Sequence, residues 1–351
     1  MNFKRFYLLL FLLVFQNFSA ISANFYWIGG TGAWSNTARW SATSGGATVG
    51  SIPTNADNVI FDIASGLAGA TVTMDVAVTV VNFDFSTAPV FTLAGALASI
   101  EIRGSLTSNT LAVLTYSGAI NMFSTAVGST LTSSLRTWAN NFVFTGSNGT
   151  NGVTLSDNFI TTQGISITRG LFHSNTRNIT ANTFNSTNGG NRTITLNTSL
   201  ITITGATWNV VPAGGPSTLT FSATGSTINL TSVLAVGFSG GGQTYATLNS
   251  SATSLTINGA NTFGTTTLAT SSTLLLENSI NQNFTSLSLN GTCANKATIS
   301  PIVANQPAAT ITISTSPFTG TSINITKVNA VGPTIYNLTS SNLISATGWI
   351  G

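Results

Sequence analysis

The feature that most constrains this chain is how little charge it carries. Its 351 residues include 7 acidic side chains, 10 lysines and arginines, 1 histidine and 1 cysteine. Enzymes usually gather several titratable groups in one pocket, and this sequence supplies few of them. The composition therefore argues against an ordinary enzyme and predicts a neutral, repetitive β scaffold.

Short segments in which polar and apolar residues alternate recur from about residue 71 to the end of the chain. Such alternation predicts β-strands with one buried face and one wet face. Turns rich in glycine and asparagine separate the segments, as at residues 146–152 and 240–242. The clearest strand segments are 71–74, 78–81, 165–168, 193–196, 202–204, 218–221, 227–230, 274–276, 287–289 and 310–313.

Strands of this length and density suit a β-sandwich array or a solenoid, and three features favour the solenoid. The pattern runs from residue 71 to residue 351, which is long for one sandwich, and similar phrases at 193–196 and 218–221 lie about one coil apart. Equivalent positions in stacked coils lie about 4.8 Å apart, so like charges would repel while Ser, Thr and Asn form ladders. We therefore predict an all-β fold, a right-handed parallel β-helix (β-solenoid).

The first 23 residues have the pattern of a secretory signal peptide. Lys4 and Arg5 precede the apolar run 6–15, and small residues follow it. The run is shorter than the roughly 20 apolar residues that span a bilayer, which favours a cleaved signal over an uncleaved anchor. We expect cleavage between Ala23 and Asn24, a secreted or cell-surface location, and no membrane span in the mature chain.

Residues 24–66 differ in composition from the strand repeats. They hold three of the six tryptophans, Trp27, Trp34 and Trp40. A solenoid needs its first coil covered, because an open sheet edge and a bare core attract other strands. We therefore predict a Trp-rich N-terminal cap segment at 24–66 and a β-solenoid repeat domain at 67–351.

This segment also carries a recognisable motif. Residues 26–35 read YWIGGTGAWS, residues 39–41 read RWS, residues 44–46 read SGG and residues 53–62 read PTNADNVIFD. The series is similar to the pattern YWVGGTGNWSDxxHW…SGG…PTAADxVxFD, which opens large secreted surface proteins of the Bacteroidota. The later segments that follow the core repeat of that family are 192–196, 201–205 with Trp208, 226–231, 238–245 and the closing 346–350.

The resemblance implies an adhesin-like or surface-layer protein built as a β-helical module. Many members of that family continue into immunoglobulin-like repeats and a C-terminal sorting domain for type IX secretion. No sorting domain is recognisable in the 351 residues. Two alternatives follow: either the chain is a fragment of a longer protein, or its export past the outer membrane uses another route.

Two roles are open for Trp34 and Trp40. If their rings are exposed beside Tyr26 and Trp27, they would stack on sugar rings. If they are buried, they hold the cap together, which is the commoner fate of clustered aromatic residues. We favour the cap role and keep Trp34 and Trp40 as the carbohydrate-stacking candidates.

Asp57 and Asp62, with Asn55 and Asn58, offer oxygen atoms that would suit calcium. The sequence has no EF-hand and no glycine-aspartate nonapeptide repeat, and Asp and Asn are common in turns. We therefore favour a turn and strand-capping role for these residues. One histidine and one cysteine cannot form a zinc site, and we predict no cofactor.

Many β-helix proteins act on polysaccharides through paired carboxylates on adjacent coils. The candidates here are Asp75, Asp84, Glu101 and Asp157, with Arg103, Arg169 and Arg177 as potential partners. His173 stands apart from any cluster, and Cys293 lacks an activating histidine motif, so we expect Cys293 to be a small buried residue. We expect the carboxylates to be solvated or locally paired and predict no catalytic residue.

Thr-x-Thr phrases raise the question of ice binding, because stacked threonine pairs can order water. Their irregular spacing favours the ordinary β propensity of threonine instead. The phrases are Thr193/Thr195, Thr202/Thr204, Thr218/Thr220 and Thr310/Thr312.

The basic residues of the mature chain are scattered and form no stripe that could follow a phosphate backbone. Nucleic acid is therefore not an expected partner. The expected partners are extracellular glycans or other surface proteins. The leading hypothesis is a non-catalytic extracellular or cell-surface β-helix protein with an adhesive or structural role. The alternatives are a carbohydrate-binding or polysaccharide-acting β-helix protein and an ice-binding solenoid.

Overall fold

The computed structural model describes residues 22–96, 99–187, 190–212, 218–314, 318–332 and 336–349. Residues 1–21 of the predicted signal peptide lie outside this part of the chain. The described ranges contain no α-helix, and two 3-10 helices span Thr37–Arg39 and Ile63–Ser65. Within the same ranges, no helix has the length and apolar character that a membrane crossing requires.

The described residues form 35 strands, most of them short. The first eighteen are β1 (Asn24–Trp27), β2 (Gly32–Ala33), β3 (Trp40–Ser41), β4 (Asn58–Ile60), β5 (Thr71–Thr73), β6 (Val78–Val80), β7 (Phe83–Asp84), β8 (Thr92–Ala94), β9 (Ile100–Ile102), β10 (Leu106–Thr107), β11 (Val113–Leu114), β12 (Ile120–Ser124), β13 (Ser129–Thr132), β14 (Thr137–Trp138), β15 (Phe142–Gly146), β16 (Gly152–Leu155), β17 (Phe159–Thr161) and β18 (Gly164–His173). The others are β19 (Ile179–Ser186), β20 (Arg192–Thr195), β21 (Leu200–Val210), β22 (Leu219–Leu230), β23 (Ala235–Ser239), β24 (Thr244–Ser250), β25 (Ser254–Asn258), β26 (Thr262–Leu268), β27 (Thr273–Leu276), β28 (Asn281–Ser288), β29 (Ala297–Pro301), β30 (Ala309–Ile313), β31 (Phe318–Thr321), β32 (Ile323–Thr326), β33 (Val328–Val331), β34 (Tyr336–Thr339) and β35 (Asn342–Ile344).

Each coil passes through three strand positions in a fixed order, and stacking the coils turns each position into one face. Face I consists of β1, β4, β7, β10, β13, β16, β18, β20, β22, β24, β26, β28, β30 and β33. Face II consists of three successive ladders, which are β2, β5, β8 and β11, then β14, β17, β19, β21, β22, β24, β26 and β28, and last β31 and β34. Face III consists of β6, β9, β12, β15, β18, β19, β21, β23, β25, β27, β29, β32 and β35.

Several strands belong to two faces because they turn a corner of the coil. In β18, Ile165 pairs with Phe184 on face III, while Phe172 pairs with Ile194 on face I. Gly170 lies at the corner with a φ of 83°. A left-handed residue at this point lets the strand change direction without leaving the ladder.

The stacking confirms the predicted β-solenoid, with about 12 parallel coils. The sandwich alternative is wrong, because the strands follow one another around a single interior and pair in parallel. The named exception within the described residues is β3, which pairs antiparallel with β1 through Trp27 and Trp40. A parallel pair needs a long connection between its strands, and here the rest of each coil supplies that connection.

The interior is filled by columns of apolar side chains, one from each coil. Trp208 lies between Phe184 and Phe238, with ring centroids 4.5 Å and 5.7 Å away and nearly parallel planes. Phe263 lies in the same way between Tyr245 and Phe284, at 5.5 Å and 5.2 Å. Parallel registration places like residues above one another, so the alternating sequence becomes a continuous aromatic and aliphatic core.

The N-terminal end of this core is covered by aromatic side chains from β1, β3 and the adjoining turns. Trp40 packs against Trp27 at 5.1 Å and against Trp34 at 4.7 Å. Its indole Nε1 donates a hydrogen bond to the carbonyl of Trp34 at 2.9 Å. Two strands of the predicted cap segment, β1 and β4, already stack on face I, so the cap is continuous with the coils.

Candidate functional site

The most distinctive outward surface lies at the N-terminal end of face I, where four strands carry two columns of side chains. In each coil, two residues that are two positions apart face outward, and the residue between them faces inward, as strand alternation requires. The amide column consists of Asn24, Asn58, Asn82 and Ser105, and the mixed column consists of Tyr26, Ile60, Asp84 and Thr107. Together these eight residues are called the face I grid below.

Buried neighbours hold the grid in register. Val59 is paired with Phe83, and Phe83 with Leu106, and all three side chains lie in the core. Phe83 therefore fixes the outward direction of Asp84, which follows it on β7, and of Asn82, which immediately precedes β7. The two outward side chains of one strand lie about 6.6 Å apart, and neighbouring strands lie about 4.8 Å apart.

Hydrogen bonds order the amide column along the solenoid axis. Asn58 Nδ2 donates to Asn24 Oδ1 at 2.9 Å, and Asn82 Nδ2 donates to Asn58 Oδ1 at 2.8 Å. Asn82 Oδ1 in turn accepts from the backbone N–H of Ser105 at 2.6 Å. Each amide has two N–H groups and two acceptor lone pairs, so a bond on each side still leaves one donor and one acceptor position.

Asp84 supplies a carboxylate to the mixed column. Its Oδ1 accepts a hydrogen bond from the backbone N–H of Ser86 at 2.9 Å. Its neighbours in the column are Ile60 on one side and Thr107 on the other. A carboxylate accepts at two oxygens, so the Ser86 bond fixes its orientation without using its full capacity.

The grid borders an open concave cavity of about 310 Å³. Its lining residues are Asn24, Asn58, Val59, Ile60, Asn82, Asp84, Ser105 and Thr107. Amides, hydroxyls, one carboxylate and one isoleucine thus meet in a single groove, which we call the face I groove. Such a groove can exchange hydrogen bonds with a polar ligand and cover part of its apolar surface.

The seven acidic residues all accept hydrogen bonds from neighbouring groups of the chain. Two of them have turn roles: Asp57 Oδ2 accepts from the N–H and hydroxyl of Thr54, and Asp62 caps the 3-10 helix Ile63–Ser65 together with Ser65. The five other acceptors are Asp75 from Ser35, Asp84 from Ser86, Glu101 from Arg103, Asp157 from Ser133 and Glu277 from Gly259.

The structure does not bring the candidate catalytic carboxylates together. Asp84 lies on face I and Glu101 on face III, where Glu101 pairs with Arg103 at 2.9 Å. Asp75 and Asp157 lie in turns at different corners of the coils. Paired carboxylates must face one another across a sugar bond, and these four do not share a groove.

Two of the remaining candidate residues, Arg169 and His173, have local partners. Arg169 Nε donates to the carbonyl of Gly146 at 2.7 Å, and His173 Nδ1 accepts from the N–H of Asn175 at 3.0 Å. Arg177 is exposed in the turn before β19. Among the residues in the described ranges, no group of three or more His, Cys, Asp and Glu side chains could hold a metal ion.

Trp34 and Trp40 lie in the core, at 1% and 0% exposure. The carbohydrate-stacking expectation is therefore wrong for these two rings, because Trp27, Phe61 and Phe83 cover their faces. Their place is in the cap, the role that the sequence favoured.

Cys293 is exposed, which corrects the expectation of a buried residue. It lies in the turn between β28 and β29, in the segment Gly291 to Asn295 that carries few apolar side chains. The sequence around Cys293 places it outside the alternating pattern, so no coil interior is there to receive it.

The Thr-x-Thr phrases lie on more than one face. Thr193 and Thr195 are on face I, where they pair with Thr220 and Ser222, whereas Thr202 is on face II beside Asn229. The pairs therefore do not stack into one threonine array.

The face I grid was not among the predicted sites, although the sequence contains a trace of it. The phrase asparagine, apolar residue, any residue, aromatic residue occurs at 24–27, 58–61 and 82–85. Its spacing is unequal because the first coils differ in length, which hides the repeat. A comparison of the chain with protein-family models, with curated proteins and with solved structures finds no match.

Proposed function

We propose that this protein is a non-catalytic β-solenoid that works outside the cell, on or near the cell surface, in an adhesive or structural role. The observation that carries the proposal is that the carboxylates are dispersed over the molecule and are not gathered in one pocket. Each carboxylate accepts a hydrogen bond from a neighbouring group, and the carboxylates lie on different faces, whereas the outward columns consist mainly of neutral side chains. Such a surface suits repeated contact and poorly suits proton transfer.

Outward columns occur at more than one place on the solenoid and so offer several contact points. On face II, Thr227, Thr247 and Thr265 are in register, and Asn249 Nδ2 donates to Asn229 Oδ1 at 2.9 Å. A rigid scaffold loses little conformational entropy when it binds, because its side chains are already ordered by their neighbours. This rigidity supports a role in attachment or in building an extracellular layer.

The extracellular part of the proposal is supported by the signal pattern and by the motif that resembles surface proteins of the Bacteroidota. Asn24, the expected first residue of the mature chain, is also the first residue of β1. N-terminal sequencing of protein recovered from the culture medium or the cell surface tests this step. We expect the chain to start at Asn24, and recovery only from the cytoplasm with residues 1–23 attached would contradict it.

The test of adhesion without catalysis measures two quantities in one sample. Purified protein is incubated with beads coated with neutral polysaccharides and with beads coated with extracellular matrix proteins. We expect retention on at least one coating with no release of reducing ends or peptides. Product release that rises with protein concentration, and that Asp84→Asn abolishes, would show that the protein is an enzyme.

A further inference from the structure

We propose that the face I groove binds a neutral saccharide, and that Asn82 and Asp84 hold its hydroxyl groups. The inference rests on the proposed adhesive function and names the ligand class of one contact surface. It is carried by the juxtaposition of an ordered amide column, a carboxylate and a small apolar patch in one open cavity of about 310 Å³.

Saccharide hydroxyls both donate and accept hydrogen bonds, so a site that holds them needs acceptors and donors side by side. Asn82 and Asp84 meet this need from the two sides of Phe83, with outward side chains about 6.6 Å apart. The carboxylate of Asp84 accepts from a hydroxyl, and the second N–H of the Asn82 amide donates to one. Hydrogen bonds to an ionised group are about twice as strong as those between neutral groups.

The apolar part of the groove lies next to this pair. Ile60 lines the groove and neighbours Asp84 in the mixed column. Tyr26 neighbours Ile60 in the same column, just outside the lining. Both side chains are half-buried, so part of each is accessible to a ligand. The C–H face of a sugar ring is apolar, and an aromatic or aliphatic surface covers it well.

The groove is ordered before a ligand arrives. The bonds between Asn24, Asn58, Asn82 and Ser105 fix the amide column, and Ser86 fixes Asp84. Preformed donors and acceptors lower the entropy cost of binding. The four strands span about 14 Å along the axis, which gives room for a short oligosaccharide.

The charge of the groove selects among sugars. Among the lining residues, Asp84 alone is charged. A uronic acid or sulfated sugar would place a second negative charge near Asp84, and like charges at short distance repel. We therefore expect neutral hexose oligosaccharides to bind and acidic ones to be rejected.

The test measures binding of the purified protein to immobilised gluco-, manno- and galacto-oligosaccharides and to oligogalacturonate as the acidic probe. Asp84→Asn keeps the shape of the side chain and its acceptor for Ser86 but removes the charge. We expect it to weaken neutral binding about tenfold and to reduce the discrimination against oligogalacturonate. Ile60→Ala should also weaken neutral binding, because it removes the outward apolar side chain that lines the groove.

Glu101→Gln is the matched control, since it makes the same carboxylate-to-amide change on face III. We expect it to bind the neutral probes as the wild type does, and unchanged thermal unfolding of Asp84→Asn shows that its fold is intact. The proposal is overturned if no neutral oligosaccharide binds, or if Asp84→Asn and Ile60→Ala both bind as tightly as the wild type.

The outcomes also separate this inference from the proposed function. If the groove variants adhere to glycan-coated beads as the wild type does, the face I groove is not the saccharide site, but the adhesive role still stands. Binding in the groove followed by release of cleaved sugar keeps the ligand class but overturns the non-catalytic role.

Discussion

Asp75 accepts two hydrogen bonds from Ser35, one from the backbone N–H at 3.0 Å and one from the hydroxyl at 2.5 Å. The two residues are 40 positions apart, and the pair ties the turn after β2 to the turn after β5. The contact therefore joins the N-terminal cover to the first coil.

This pair predicts acid sensitivity at the N-terminal end. Burial raises the pKa of Asp75, but the bonds from Ser35 outweigh it and hold the pKa below the ordinary value of 3.8. The unfolded chain thus binds the proton more tightly, so the stabilisation is present above pH 3.8 and is lost as the pH falls through the folded pKa.

We expect Asp75→Asn to lower the melting temperature at neutral pH and to flatten its decline in acid. Thermal unfolding followed by circular dichroism between about pH 6 and pH 2 measures both effects. Ser35→Ala should produce the same flattening, since it removes the hydroxyl donor. An acid decline as steep in both variants as in the wild type would contradict this role.

Trp208 is expected to be a central stabilising residue because its ring is sandwiched by aromatic rings from the coils before and after it. Trp208→Ala should reduce the free energy of unfolding by about 3–5 kcal/mol, as is usual for the loss of a buried aromatic side chain. Denaturant titration measures the change. Thr265→Ala, an exposed substitution on face II, should stay within about 0.5 kcal/mol of the wild type.

Gly170 and Gly128 allow steric crowding to be separated from backbone strain. Both have a positive φ, 83° and 87°, but a Cβ at Gly170 would lie 2.2 Å from the carbonyl oxygen of Asn151, while nothing lies within 4 Å of one at Gly128. Gly128→Ala should cost about 1–2 kcal/mol for the left-handed backbone.

Gly170→Ala should cost about 1–3 kcal/mol more than Gly128→Ala, because the backbone at the corner of β18 must also shift. Parallel denaturant titrations of the two variants give the difference. Equal costs would mean that the corner of β18 relaxes freely.

Arg192 is buried between coils, and its guanidinium donates to the hydroxyl of Ser186 at 2.6 Å and to the carbonyl of Val211 at 2.8 Å. Burial lowers the pKa of Arg192. A lysine at this position has one ammonium group and cannot reproduce a planar fork of donors.

Arg192→Lys is therefore expected to lower the free energy of unfolding by about 1–3 kcal/mol, measured by denaturant titration. Arg177→Lys, in an exposed turn, is the matched control and should have almost no effect. Equal stability of the two variants would show that the fork geometry is unimportant.

The stacking of repeats could be predicted from the sequence, whereas their register could not. The phrases 193–196 and 218–221 were expected on neighbouring coils, and β20 does pair with β22. However, Thr193 pairs with Thr220 and not with Thr218. A pattern of period two keeps the same residues inside after a shift of two, so alternation alone does not fix register.

The face I groove escaped prediction for a related reason. Asn24, Asn58 and Asn82 are separated by unequal stretches of chain, and their alignment depends on how much of each coil is taken up by turns. Asp84 appeared in the sequence only as one of several scattered acids. Its significance comes from the two strands beside it, which no local pattern contains.

The antiparallel strand β3 closes the N-terminal edge of face I. At the N-terminal end β1 is already hydrogen-bonded to β3, which runs the opposite way and is itself bridged to Thr48 through Ser41. On face I, the edge of β1 is therefore not open to a further parallel strand. We therefore expect that coils added by engineering join face I more readily at the C-terminal end of the solenoid than at β1.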